Sequence, residues 1–563
     1  MKNLFSKCLM AALLALPTGA VIDGGLNAQT ITPQACEQTI ITPKTEGRYI
    51  WLPIQDSAPE GKVQILLNNR LMMEQNVRMA REKVDYYVAL DLQAYQKQGT
   101  LKVVVQNVPT GCICFKNIAQ NSDTNYKLIN EPFRPSFHHT PKRAWMNDPN
   151  GMFYLDGTWH LYYQYNPYGS LWGNMHWAHS TSTDLINWKD EGIALAPDGW
   201  GTMFSGSCVV DHNNTVGFGK GAVIAMYTSS RPTPFGGDVQ AQCLAYSHDG
   251  GKTFTKYEGN PVLTCEEKDF RDPNMFWNED IMAWNLILAV GQEMRIYSSP
   301  NLKDWKEESR FGKELGCHGG VWECPDLMRV PEMVNGKKTG KSKWVLICNI
   351  NPGFIYGGSA TQYFVGDFDG HKFTVDSEAR YADGNALWQD YGKDHYATVS
   401  FSNAPNGRQP MIAWMSNWDY ANDVPTTQYR SANSIVRDPF LYKVGKQYFL
   451  GSRPAPEYDK AGLDKQIKVK GSCTVTLSNA EGEEAVITYD QKAMTLSFDR
   501  SKSGKVDFNQ NFAVKTTAPV HRKLTSLRIF IDNSSVEVFG NNGEVVLTNL
   551  VFPKSKLEKV TVK

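Results

Sequence analysis

Ser182-Thr183-Asp184-Leu185-Ile186-Asn187-Trp188-Lys189 is a polar turn that closes on an indole, and the chain returns to it. Ser299-Pro300-Asn301-Leu302-Lys303-Asp304-Trp305-Lys306 is an echo of it. Between them Ser247-His248-Asp249-Gly250-Gly251-Lys252-Thr253-Phe254 ends the same kind of turn on an aromatic. Asp367-Phe368-Asp369-Gly370-His371-Lys372-Phe373 is a looser fourth copy. Around these copies, from about residue 135 to 455, short strand-like runs alternate with turn residues and aromatics are dense. All-β texture repeating at this period reads as propeller blades of four strands, and the stretch has room for five, or six. A propeller gathers its inner strands around one funnel, so residues far apart in sequence meet there.

The flanks read differently. Residues 29–132 alternate apolar and polar in short runs such as Leu101-Lys102-Val103-Val104-Val105, which predicts a separate N-terminal β-domain. Beyond 457 strand patterns resume with hairpin turns at Asn533-Ser534 and Asn541-Asn542-Gly543, which predicts a C-terminal β-sandwich over 457–563 behind a propeller at 133–456. No long amphipathic helix is legible. Lys2 and Lys7 precede an apolar run from Cys8 to Val21, and Leu26-Asn27-Ala28 resembles a cleavage site, so residues 1–28 read as an export signal. The run is short for a membrane span and no later segment is longer, so the expected product is exported, to a periplasm or outside the cell, without a membrane span. The eleven cysteines are scattered, and Cys112-Ile113-Cys114 has no partner pair for zinc. One or two disulfides, or buried free thiols, both suit an exported chain. Lys+Arg and Asp+Glu are both 58, and a neutral chain without a basic stripe argues against nucleic acid as the ligand.

Three carboxylates carry the chemical argument. Asp148 lies in Trp145-Met146-Asn147-Asp148-Pro149-Asn150-Gly151, Asp272 in Phe270-Arg271-Asp272-Pro273, and Glu323 in Val321-Trp322-Glu323-Cys324-Pro325-Asp326. Pro149 holds Asp148 in extended geometry and Gly151 suits a tight turn. Taken singly each is also an ordinary turn or structural acid, and Arg437-Asp438-Pro439 repeats one of the tripeptides. Together, on separate blades, they suit glycoside cleavage, which needs a carboxyl pair across the scissile bond. Trp322 and Cys324 are expected to give Glu323 an apolar setting that keeps it protonated, while Arg271 keeps Asp272 ionised. His138, His139, His176 and His179 crowd near the first blade but show no ligand spacing, so they read as structural. Asp326 is placed to orient a neighbour.

These blocks, in this order, resemble glycoside hydrolase family 32, the invertase, inulinase and levanase group. Tyr163-Gln164-Tyr165-Asn166-Pro167 with Trp172-Gly173, Phe204-Ser205-Gly206-Ser207, and Trp414-Met415-Ser416-Asn417-Trp418 followed by Pro425-Thr426 complete the pattern. The segment from about 30 to 130 lies outside it. The resemblance implies a five-bladed propeller, a retaining mechanism and no metal or organic cofactor. It implies Asp148 as nucleophile, Glu323 as acid/base and Asp272 as transition-state stabiliser. Trp145, Asn147, Gln164, Trp172, Phe204, Ser205, Arg271 and Trp418 would line a fructose pocket. The implied substrate is levan, inulin or sucrose, with fructose released from a chain end. Linkage preference stays open. A fructosyltransferase is the alternative enzyme, and a non-catalytic carbohydrate-binding protein is the alternative of another class.

Overall fold

A computed structural model describes residues 22–23, 30–34, 37–233, 236–376 and 386–563. Apart from residues 22–23 the expected export signal lies outside the described residues, as does Cys36. The chain divides into two compact units, 1–129 and 130–563. Both are all-β, with one short α-helix, Cys114–Asn117, and two 3-10 turns among the described residues. No helix there is long and apolar enough to cross a membrane. The described cysteines, Cys112 and Cys114 included, are free thiols.

The first unit holds a six-stranded and a three-stranded antiparallel sheet. Its alternating runs behave as period-two patterning requires: in Gly61–Leu67 the residues Gly61, Val63 and Ile65 are buried and those between them half-exposed.

The second unit starts with four antiparallel sheets in chain order. Their leading strands are β1 (Ala144–Leu155), β2 (Thr202–Asp211), β3 (Phe270–Asn278) and β4 (Val321–Val334). A fifth sheet is led by β5 (Tyr396–Ser400) and joins the fourth where Glu332 pairs with Leu441. The leading strands neighbour one another in chain order. The chain also stitches its late part to its start: Tyr429–Arg430 pairs in parallel with Ala144–Trp145, and Ser402 bridges Phe153. The repeated polar turn has one structural meaning. Each copy ends the third strand of its sheet, at Ser182, Ser247, Ser299 and Phe368. In each the Asp or Asn side chain takes two backbone N–H groups from the next residues: Asp184 from Ile186 and Asn187, Asp249 from Lys252 and Thr253, Asn301 from Lys303 and Asp304, Asp369 from His371 and Lys372.

Residues 464–562 form a four-stranded and a five-stranded sheet that share one apolar core, including Val475, Leu477, Phe498, Leu527 and Val538. Asn541 and Asn542 both take positive φ (48° and 55°), as a tight hairpin turn demands. Buried charge ties these sheets to the preceding ones. Arg437 is ion-paired with Asp390 and Glu537, and Arg500 donates to Asp394 at 2.5 Å.

Candidate active site

The five leading strands share a defect. Each inserts one residue against its partner strand, between Met146 and Pro149, Met203 and Gly206, Arg271 and Asn274, Glu323 and Asp326, and Tyr396 and Val399. A regular strand sends neighbouring side chains to opposite faces; a bulge lets two in a row face the same way. The pairs Asn147–Asp148, Phe204–Ser205 and Arg271–Asp272 accordingly line one cavity of about 280 Å³ together with Glu323. Local sequence accommodates the bulges. Asp272, Cys324 and Ala397 take positive φ (65°, 42° and 54°). Gly206 has no room for a side chain, since a Cβ would stand 2.0 Å from Met226 O. Gly151, at φ +58°, likewise faces Trp177 at 2.5 Å.

Each carboxylate is held by named donors. Ser205 Oγ donates to Asp148 Oδ2 at 2.8 Å and Asn147 Nδ2 to Oδ1 at 3.1 Å. Asn147 is itself fixed by Trp145 Nε1, which donates to its Oδ1 at 2.8 Å. Burial and the nearby Glu323 charge push the Asp148 carboxyl above the usual range. Asp272 Oδ2 accepts the Cys324 backbone N–H at 2.9 Å, and the Cys324 thiol lies 3.6 Å from Asp272 Oδ2 and 3.5 Å from Asp148 Oδ2. Glu323 Oε1 accepts from Arg271 Nε at 3.1 Å and a second guanidinium N–H at 3.0 Å, and its Oε2 accepts the Tyr396 hydroxyl.

Two electrostatic expectations change. Arg271 lies 4.0 Å from Asp272 and spends its N–H groups on Glu323 and Asp269. Burial therefore outweighs its attraction, and the Glu323 and Asp148 charges add to burial, so the Asp272 carboxyl is pushed up to about 7. Trp322 and Cys324 do not wall in Glu323. Trp322 is wholly buried in the core between the third and fourth sheets, as strand alternation requires, and the Cys324 thiol faces the two aspartates. The setting of Glu323 is a cation and a phenol.

Gln164, Trp172 and Trp418 also line the cavity. Asn150 holds Gln164 by accepting from Nε2 at 3.1 Å. Trp172 is 47% exposed, with its ring edge-on to Phe204. Trp145 is the exception. Its ring is fully buried and stacks beside Trp418 at 5.7 Å, so it buttresses Asn147 and does not reach the cavity. Sequence reasoning missed Met175 and Asn351, which line the cavity, and Tyr396, whose hydroxyl meets Glu323. None of the three stands in a motif that marks it.

The histidines are spent on the fold. His138 bridges Asp532 and Glu537 at 2.8 Å each; burial lowers its pKa, but the two carboxylates outweigh that and hold it near 9. His139 and His176 fall to about 4 and His179 to about 3, chiefly through burial. No group of three or more His, Cys, Asp or Glu suited to a metal occurs among the described residues. Asp326 accepts the Ser400 N–H at 2.7 Å, joining the fourth and fifth leading strands. Glu267 pairs with Arg295.

Family models for the N-terminal and C-terminal domains of glycosyl hydrolases family 32 match residues 138–451 and 459–563. The chain belongs to glycosyl hydrolase family 32. It is a glycoside hydrolase of the β-fructofuranosidase type. Residues 36–137 match a domain of unknown function. Among family members, the levanase of Bacillus subtilis (strain 168) is 43% identical over 477 residues, covering 77% of this chain and 68% of that one. The crystal structure of exo-inulinase from Aspergillus awamori superposes with a TM-score of 0.68 at 34% identity, covering 77% and 95% of the two chains. A fructofuranosidase from Schwanniomyces occidentalis complexed with fructose gives 0.65 at 33% identity, covering 76% and 97%.

Proposed function

We propose that this family 32 member is an exported exo-acting hydrolase that removes terminal fructose from β-linked fructans, and splits sucrose, with retention. The observation that carries the reading is the placement of Asp148 and Glu323 on one cavity with different partners. Asp148 accepts only neutral donors and is free to attack; Glu323 is oriented by Arg271 and Tyr396. In the first step Asp148 attacks the anomeric carbon, the bond to the leaving oxygen breaks, and Glu323 gives that oxygen its proton. In the second, Glu323 takes a proton from water, the water oxygen bonds to the anomeric carbon, and Asp148 is released. Asp272, fixed by the Cys324 N–H, faces the ring hydroxyls and supports positive charge that develops at the anomeric carbon. Gln164, Asn147 and Arg271 bind hydroxyls, and Trp172, Phe204 and Trp418 shut out water. The cavity lies near the small end of ligand pockets, which suits one terminal sugar unit and so end-on attack.

The same reading takes the five sheets as a five-bladed propeller over 133–456, closed where the Tyr429–Arg430 strand returns to Ala144–Trp145, with a C-terminal sandwich at 457–563 and a separate β-domain at 29–132. Residues 1–28 would direct export to a periplasm or the medium, as the extracellular relatives favour.

Asp148→Asn should fold normally and lose turnover on the order of 10⁴-fold. Chromatography of products from levan, inulin and sucrose supplies the second check: fructose alone marks end-on attack, and a ladder of oligomers would overturn it. Near-normal turnover in the variant would remove Asp148 from the chemistry.

A further inference from the structure

A second cavity of about 290 Å³, as large as the catalytic one, is lined by residues of the first sheet and its repeat turn. Trp188 and Tyr163 form its aromatic wall, and Asn187, Lys142, Asp190 and Ser180 supply polar groups. Trp188 is the indole of the repeated turn, and the two indole copies differ in a telling way. Both rings are half-buried against a core, but in the later copy Trp305 Nε1 donates to Leu302 O at 3.0 Å. In the earlier copy the Trp188 ring is half-buried, braced edge-on by His139 at 5.7 Å and stacked near Phe401 at 6.4 Å. Its N–H has no protein acceptor among the described residues and is not sealed off from solvent. The neighbouring Asn187 is held through its Nδ2, which donates to Asp184 at 2.7 Å, so its carbonyl oxygen is unspent. Lys142 makes no ion pair among the described residues, and Asp190 uses one oxygen on the Gly192 N–H at 2.9 Å.

An aromatic wall, an indole donor, an amide acceptor and one ammonium balanced by one carboxylate describe a ligand that is neutral and rich in hydroxyls. One lysine and one aspartate, with the His138 ring spent on Asp532 and Glu537, leave too little positive charge for a phosphate chain. His139 is wholly buried and neutral near pH 7, its pKa lowered to about 4 chiefly by burial, and it is hydrogen-bonded to Asn433 and Ser180. The groove also holds a single carboxylate, whereas cleavage of a glycosidic bond needs two. We propose that this groove is a non-catalytic subsite for a sugar unit of the same fructan chain whose end is cut in the catalytic cavity, an inference that rests on the fructan reading above. Holding the polymer at a second point raises its effective concentration at the cavity without touching the chemistry.

The test compares polymer with sucrose, which has a single fructose unit and no chain to hold at a second point. Trp188→Ala, and separately the surface double variant Asn187→Ala with Lys142→Ala, should raise KM for levan or inulin about three- to tenfold while kcat/KM on sucrose stays unchanged. In an Asp148→Asn background, retardation in gels containing the polymer should persist with the groove intact and drop in the groove variants. Unchanged polymer KM and unchanged retardation in both groove variants would overturn the proposal. So would an equal loss on sucrose and polymer in the double variant, because that places the effect in the catalytic cavity or the fold. Wild-type protein that frees fructose from none of the three substrates sinks the fructan reading instead, and is told apart by that assay alone.

Discussion

Tyr396 is the residue whose contact with Glu323 most constrains the chemistry. Arg271 directs two N–H groups into Glu323 Oε1, so a transferable proton belongs on Oε2, the oxygen that meets the Tyr396 hydroxyl. A hydrogen bond to a charged group contributes about 1.5–3 kcal/mol, so Tyr396→Phe should lower kcat about tenfold or more, with KM for sucrose little moved. Steady-state kinetics on sucrose checks this, and a change confined to KM would reassign Tyr396 to substrate binding. The second consequence is in pH. Three carboxylates share the cavity, and Asp272 is raised to about 7, so the free enzyme keeps a proton in the cluster up to that pH. Rising pH removes it from Asp272 and leaves that carboxylate ionised, the form that supports positive charge at the anomeric carbon. The profile of kcat/KM should therefore rise as pH approaches about 7 and Asp272 ionises, and a profile flat between about pH 5 and 7 would contradict the assignment. Much at this scale was legible beforehand: Asp148, Asp272 and Glu323 stand in short blocks with Pro or Trp beside them. The charge states were not, because Arg271 turns toward Glu323 across 52 residues of sequence and leaves Asp272 to its burial.

Among the elements, the five bulged strands do what no single motif does. Each brings consecutive side chains to one side, and in three of them the extra residue sits at positive φ. Ala397 is the case that isolates the backbone, since its small side chain carries no chemistry. Ala397→Val places a β-branched residue at φ 54° and should cost about 1–3 kcal/mol and displace Tyr396. Ala397→Gly should keep both stability and activity. Thermal unfolding and turnover of the two variants give the comparison; equal effects would mean that the bulge conformation is not what holds Tyr396. The polar turns that end the third strands were readable from sequence because their signal is local: one Asp or Asn receiving two backbone N–H groups. The bulges were not, since an inserted residue exists only relative to a partner strand.

Over the whole molecule, the sheets that carry the cavity and the sheets of residues 464–562 are joined by buried ions. His138 lies between Asp532 and Glu537, with its pKa held near 9 against an ordinary value of 6.5. A raised pKa contributes stability that is complete below about 6.5 and lost as pH rises through about 9. The shift corresponds to about 3 kcal/mol, so Tm should decline between those values. His138→Asn should flatten that decline and lower Tm at pH 6. Differential scanning calorimetry across pH 6 to 9.5 decides it, and a His138→Asn profile parallel to wild type would place the pH dependence elsewhere.

Sequence by itself determined the β character, the family, the recurring turns and the set of side chains able to do sugar chemistry, because each rests on short-range pattern: period two, Asx hydrogen bonding, carboxylates beside rings. Tertiary structure decided which of them meet and in what state. It set Trp145 behind Asn147, gave Glu323 a guanidinium and the Tyr396 phenol for neighbours, brought Asn351 to the cavity, and raised Asp272 by enclosing it. Partnership across a sheet and loss of water are properties of the folded chain, and no stretch of residues carries them alone.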